Sequence, residues 1–208
     1  MNEKEVKVIL LGNSGVGKTS LINVCLDVNY IVDSNSNNIP TISGYYIQKV
    51  IECDGKKYIL DLWDTAGQEA YLGITKLFFK GSEIIIFVYD ICAINSFNDL
   101  NNWIQMVDEI IDNQHVCAIV GNKNDLYLDA EITEEEAKKF AESHNCLFRL
   151  VSAKTDPKGF IEFLEELVKV YKDKLDNPKN QSQRRKTIKL DPVPDLKQEE
   201  ENKKKCCG

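Results

Sequence analysis

Residues 12–19 read Gly12-Asn13-Ser14-Gly15-Val16-Gly17-Lys18-Thr19, a full match to the phosphate-cradling pattern in which two glycines bracket four residues before a Lys and a hydroxyl. The run before it, Val6, Val8, Ile9, Leu10 and Leu11, suits a buried strand; Ser20, Leu21, Ile22, Val24, Cys25 and Leu26 suit the helix after it. A strand ends, a loop turns and a helix begins. Glycines at 12, 15 and 17 let the backbone wrap closely round an anion. The cradle is expected to run over Ser14, Gly15, Val16, Gly17, Lys18, Thr19 and Ser20, with amide N–H groups and the helix N-terminus aimed at phosphate oxygens. Lys18 adds a point charge beside the terminal phosphates, and Thr19 offers its hydroxyl to a magnesium ion that bridges them.

Outward from this loop the pattern alternates. After the polar stretch Asp33–Asn38, read as an exposed loop, Tyr45 to Cys53 and Lys56 to Trp63 flank Asp54-Gly55, a dipeptide favoured in two-residue hairpin turns. Those two strands are expected to pair antiparallel. Ile84 to Asp90, Val116 to Val120 and Leu147 to Val151 are further short strands, separated by helical stretches near Ser96 to Ile111 and Thr133 to His144. A last helix, roughly Lys158 to Leu175, places Phe160, Leu164, Leu167 and Tyr171 on one face. Strands alternating with helices predict an α/β fold: a six-stranded, mostly parallel sheet with one antiparallel strand and helices on both faces. Ligands in such sheets bind at loops beyond the strand carboxyl ends, where each motif here falls.

The 208 residues suffice for one main domain, expected to span 1–175, with 176–208 as a flexible tail rich in Asn, Gln, Lys, Glu and Pro. That tail holds nine Lys and Arg against six Asp and Glu, a balance of +3; with −7 for the whole chain, −10 remains on residues 1–175. The sign change favours an anionic partner for the tail, while the acidic domain argues against nucleic acid. No run approaches the roughly 20 apolar residues that span a bilayer. The N-terminal Met-Asn-Glu-Lys-Glu lacks a signal-peptide core, and Asn2 stands where myristoylation requires glycine, so synthesis in the cytosol is expected. Cysteines 25, 53, 92, 117 and 146 show neither disulfide-framework nor zinc-site spacing and read as small core residues; Cys206 and Cys207 are adjacent near the end. His115 and His144 receive no role.

Leu62-Trp63-Asp64-Thr65-Ala66-Gly67-Gln68-Glu69 closes the third strand with an acid, a glycine and an amide side chain. Asp64 suits the position that helps hold magnesium, the N–H of Gly67 can sense a terminal phosphate, and Gln68 can orient an attacking water. Hydrolysis of a phosphoanhydride needs charge stabilisation and in-line positioning more than covalent help, so an amide and a metal suffice for a slow reaction. Asn122-Lys123-Asn124-Asp125 bears on the base. The Asp125 carboxylate can accept hydrogen bonds from N1–H and the 2-amino group of guanine; adenine offers neither and leaves a buried carboxylate unpaired. GTP is therefore favoured over ATP. Ser152-Ala153-Lys154 adds a backbone N–H for the guanine carbonyl and a lysine stem against the base.

With these motifs in this order, residues 5–175 resemble the Ras-like small GTPases, and within them the Rab family. The resemblance implies that Thr41, in Ile39-Pro40-Thr41-Ile42, binds magnesium and senses the terminal phosphate, and that Tyr30 packs edge-on against guanine. It matches Tyr46, Trp63 and Phe78 to an aromatic triad on the effector face; ordinary core aromatics are the alternative. Lys203-Lys204-Lys205-Cys206-Cys207-Gly208 resembles the double-cysteine terminus geranylgeranylated on both thiols, where two chains make anchoring stable and the lysines attract anionic leaflets. Implied partners are an exchange factor, a GTPase-activating protein supplying an arginine, effectors and a prenyl-binding carrier. The protein is expected to be a monomer in the cytosol and on the cytoplasmic face of an intracellular membrane, regulating vesicle traffic.

The chain departs from the family in two places. The first switch is several residues longer, the extra length being Asn and Ser, and Ala70-Tyr71 follows Gln68-Glu69 where the family has Arg and an aromatic. Losing that arginine removes a five-donor fork from the partner-facing surface. Two alternatives stay open: a GTP-dependent binding module with negligible turnover, and an ATP-dependent P-loop kinase, against which Asp125 argues.

Overall fold

A computed structural model describes residues 3–26, 45–64, 79–111 and 115–176. The chain divides into two units, Met1–Asp173 and Lys174–Gly208. The sheet belongs to the first; the described residues of the second, 174–176, end a helix. In chain order the described elements are β1 (Glu3–Leu11), α1 (Lys18–Leu26), β2 (Tyr45–Cys53), β3 (Lys56–Asp64), β4 (Ile84–Asp90), α2 (Ile94–Asn98) and α3 (Leu100–Asp108). There follow β5 (Val116–Asn122), a 3-10 helix (Asn124–Asp129), α4 (Glu134–Ser143), β6 (Leu147–Leu150) and α5 (Pro157–Asp176).

The six strands lie in the order β2-β3-β1-β4-β5-β6. Only β2 with β3 is antiparallel; β1 pairs parallel with β3 and β4, β4 with β5, and β5 with β6. The expected sheet is thus the observed one. At its hairpin, Asp54 and Gly55 have φ of 49° and 71°, the left-handed pair that a two-residue turn needs to match the strand twist. All parallel strands deliver their carboxyl ends, and the loops after them, to one side.

Both faces of the central strands are buried, which explains their unbroken apolar runs: Ile84 to Tyr89 of β4 is buried throughout. Alternation sends Ile9, Leu11, Ile85, Phe87 and Ile119 into a cluster with Leu100, Trp103 and Val107 of α3 and Ala137 and Ala141 of α4. The alternate residues, Val6, Val8 and Leu10 of β1 among them, are buried on the other face, as are Leu21, Ile22 and Val24 of α1 and Phe160, Phe163, Leu164, Leu167, Val168 and Tyr171 of α5. Among the described residues no helix is long and apolar enough to cross a membrane.

Besides one-residue shifts at the ends of β3, α4, β6 and α5, three features differ from the sequence reading. The single helix expected over Ser96 to Ile111 is two, α2 and α3, meeting at Asp99, which caps the C-terminus of one and the N-terminus of the other. β5 runs two residues further, to Asn122, because its ladder with β4 continues through Gly121 and Asn122. The 3-10 helix after it has no apolar periodicity and buries none of its residues, so no pattern announced it.

Candidate functional site

The phosphate-loop pattern turns between β1 and α1, and its three glycines serve different ends. All have positive φ, 142° at Gly12, 80° at Gly15 and 96° at Gly17, so each favours glycine conformationally. A Cβ on Gly12 would lie 2.0 Å from the carbonyl oxygen of Val88 in β4, and one on Gly17 would lie 2.2 Å from Nδ2 of Asn122. At Gly15 a Cβ would meet nothing within 4 Å. The space beside two of the glycines is thus taken by the protein; only Gly15 faces open room.

Lys18 is 2% exposed, and its ammonium donates to the carbonyls of Gly12 at 2.5 Å and Asn13 at 2.8 Å, folding the side chain back over the loop. Thr19 Oγ1 donates to Asp64 Oδ2 at 2.7 Å, joining the first turn of α1 to the end of β3. Asp64 is buried. A hydroxyl and a buried carboxylate oxygen, side by side next to a phosphate loop, are the hard donors magnesium takes when phosphates and water complete its shell. These residues fit the ion.

Asn122 ties three loops together. Buried at the end of β5, its amide donates to the Val16 carbonyl at 2.9 Å and its Oδ1 accepts from Ala153 N–H at 3.2 Å. Ser152 Oγ accepts from the N–H groups of Lys154 at 3.2 Å and Thr155 at 3.0 Å and donates to Asp125 Oδ1 at 2.5 Å. Asp125 is thereby held at the mouth of the site beside the loop that follows β6. Lys123 has φ of 67°, and its ammonium pairs with Asp90 Oδ2 at 2.5 Å. Lys154 is exposed.

Ser14, Gly15, Val16, Gly17, Lys18, Thr19, Ser20, Asp64, Asn122, Lys123, Asp125, Ser152, Ala153 and Lys154 therefore converge on one end of the sheet. Tyr30, Thr41, Gly67, Gln68, Phe78, Cys206 and Cys207 lie outside the described residues. Tyr46 and Trp63 stack with centroids 4.9 Å apart and planes at 19°, Lys7 Nζ is 5.4 Å from the Trp63 ring centre, and Tyr46 is half exposed, not a core residue.

Some contributors were not singled out from the sequence. Asn13 donates to Asp99 Oδ2 at 2.6 Å and accepts from the indole N–H of Trp103 at 3.1 Å, fastening the phosphate loop to α3. Asp90, which receives Lys123, stands at the carboxyl end of β4, and that position alone is a signal for such a role. Nothing in the sequence pairs Asn13 with residues about ninety positions away.

This arrangement is that of a P-loop protein, with a glycine-rich turn between β1 and α1 and two further loops tied to it through Asn122. A family model described as Ras family matches residues 7–172. The chain is 39% identical over 149 residues to Ras-related protein Rab-17 of Mus musculus, covering 71% of this chain and 67% of that one. It is 38% identical over 152 residues to Ras-related protein Rab-31 of Rattus norvegicus, 73% of this chain and 75% of that one. To Ras-related protein Rab-22A of Mus musculus it is 32% identical over 205 residues, 98% of both. The chain belongs to the Ras family of small GTPases and is of the Rab type. It is accordingly a GTP hydrolase that takes GTP, GDP and Mg2+ and acts in vesicle-mediated traffic. A binding module without turnover is not favoured.

Proposed function

We propose that the convergent loops form a guanine-nucleotide switch in which each residue has a separate task. Lys18 and the amides of Ser14 to Ser20 hold the phosphates. Thr19, Asp64 and Thr41 hold magnesium, which when bound neutralises charge on the phosphate oxygens. Asp125 reads guanine, supported by Asn122, Lys123, Ser152, Ala153 and Lys154, and Tyr30 packs against the base. Thr41 and Gly67 contact the terminal phosphate, Gln68 orients the water, and loss of that phosphate releases both segments. The observation that carries this reading is Asn122, whose amide spans from the Val16 carbonyl to the Ala153 N–H. One side chain thus sets the spacing between phosphate loop and base loop.

Domain 1–175 performs the switching and 176–208 serves as a tether. Geranylgeranyl chains on Cys206 and Cys207 hold the protein on the cytoplasmic face of an intracellular membrane, and a prenyl-binding carrier returns it to the cytosol as a monomer. An exchange factor loads GTP, an activating protein supplies an arginine, and effectors read the Tyr46–Trp63 surface in the GTP state.

Titration of nucleotide-stripped protein with GTP, GDP and ATP in the presence of magnesium tests the reading. GTP and GDP bind and ATP does not; Asp125→Ala weakens GTP by about 100-fold, the scale of losing hydrogen bonds to a charged group. Equal affinity for ATP defeats it. Single-turnover hydrolysis then separates wild type from Gln68→Leu, and equal rates remove Gln68 from the mechanism.

A further inference from the structure

We propose that Cys117 and Cys146 form a dithiol that a peroxide oxidises reversibly to an intramolecular disulfide, stapling the edge strand β6 to β5. The two cysteines are 29 positions apart and show no motif spacing. The fold brings them together. β5 and β6 are parallel neighbours whose ladder opens with Ala118 opposite Leu147, so Cys117 and Cys146, the residue just before β6, fall side by side where it opens. Both pack against the same apolar cluster, with Ile119 and with Phe148 and Leu150, the residues two apart on each strand, so both project from one face of the sheet.

Neighbouring strands run about 4.8 Å apart. That lies within the roughly 4.4–6.8 Å between Cα atoms that a disulfide requires. Cys146 and His115 are the side chains that act most directly on the Cys117 thiol. Cys146 in turn donates to the His144 carbonyl at 3.5 Å. Neither cysteine is fully buried, and β6 is the last strand of the sheet, so a small oxidant can reach the pair.

The chemistry divides between the sulfurs. The neighbouring Cys146 and burial hold the Cys117 pKa above that of an ordinary thiol, so Cys117 keeps its proton. Cys146, just before the edge strand, is the sulfur that meets the peroxide. The Cys146 thiolate displaces hydroxide from the peroxide, the O–O bond breaks, and a Cys146 sulfenic acid forms with release of one water. The Cys117 sulfur, passing its proton to His115, then attacks the Cys146 sulfur; the S–O bond breaks and a second water leaves. Two thiols lose two electrons and two protons, and one peroxide becomes two waters.

Because Cys117 lies near the start of β5 and Asn122 at its end, about 16 Å of strand separates the staple from the base loop. Nucleotide binding is therefore expected to persist after oxidation, and the inference stands apart from the reading of the site. The test treats GDP-loaded full-length protein with hydrogen peroxide, blocks remaining thiols and maps peptides by mass spectrometry. A Cys117–Cys146 linked peptide is expected as the dominant disulfide, reversed by dithiothreitol. The melting temperature rises by about 5 °C or more, since the bond closes a loop of about thirty residues in the unfolded chain. Cys117→Ala and Cys146→Ala each abolish both effects. The peptide map of the wild type needs no variant to fold: both thiols recovered free, carried to sulfinic acid, or joined chiefly to other cysteines overturns the proposal.

Discussion

Asn13 stands next to the first glycine of the phosphate loop but spends its side chain elsewhere, bridging the Asp99 carboxylate and the Trp103 indole N–H. Its backbone carbonyl accepts from Lys18, so a shift of Asn13 moves the lysine's anchor as well. Asn13→Ala leaves the indole N–H of a nearly buried Trp103 without this acceptor and is expected to cost about 1–3 kcal/mol of stability, read by thermal denaturation. GDP release, followed with a fluorescent analogue, accelerates about five-fold if roughly 1 kcal/mol of that loss falls on the loop. Tyr89 presents the opposite case. It is buried at the centre of the sheet, and its hydroxyl has no hydrogen-bond partner among the described residues. A Cβ on Gly121 would lie 2.6 Å from that oxygen, so glycine makes room for the hydroxyl without satisfying it. Tyr89→Phe is therefore expected to stabilise the protein by about 1 kcal/mol, a gain of roughly 2–4 °C in melting temperature. A loss instead shows that the hydroxyl has a partner in solution.

Helix α4 shows how an element is fixed by its first turn. Thr133 Oγ1 accepts from Glu136 N–H at 3.3 Å, and Glu136 accepts in return from Thr133 N–H at 3.0 Å, a reciprocal cap in a turn that also carries Glu134 and Glu135. The Thr133 hydroxyl also donates to Glu136, at 2.6 Å. The side-chain and then the backbone hydrogen bonds from Thr133 hold the Glu136 carboxyl below its ordinary value of 4.5. A carboxyl lowered in the folded state contributes stability that is present above the unfolded pKa and is lost as pH falls through the folded one. Denaturant unfolding near neutral pH is expected to show Thr133→Ala weaker by ~1 kcal/mol. The difference from wild type narrows in acid below that unfolded value. A gap constant from neutral pH into acid shows that the carboxylate contributes nothing. The same turn is legible in the sequence, where Thr133 opens the helical stretch that runs to His144. The junction at Asp99 is not. Apolar periodicity passes through it almost unbroken, and only the phosphate loop reaching across to Asp99 gives the break a purpose.

At the scale of the molecule, an acidic domain and a basic, cysteine-ended tail divide the labour proposed above. Replacing both Cys206 and Cys207 with Ser is expected to move the protein from the membrane pellet to the supernatant of fractionated cells, with intrinsic GTP hydrolysis within about two-fold, because two lipid chains supply the stable part of anchoring. A double variant that still pellets places the anchor elsewhere. The sequence by itself determined the alternation of strands and helices, the hairpin at Asp54-Gly55, and the Gly12–Thr19 and Asn122–Asp125 motifs. Each of these is written in residues adjacent in the chain, where period, turn chemistry and motif spacing act locally. Tertiary structure alone decided that Gly12 and Gly17 must lack side chains because Val88 and Asn122 occupy that space. It alone decided that Asn13 belongs to α3, that Lys123 pairs with Asp90, and that Cys117 meets Cys146. Those contacts join residues up to about a hundred positions apart through a parallel sheet, whose register is set by burial on both faces and leaves no trace in the spacing of the partners.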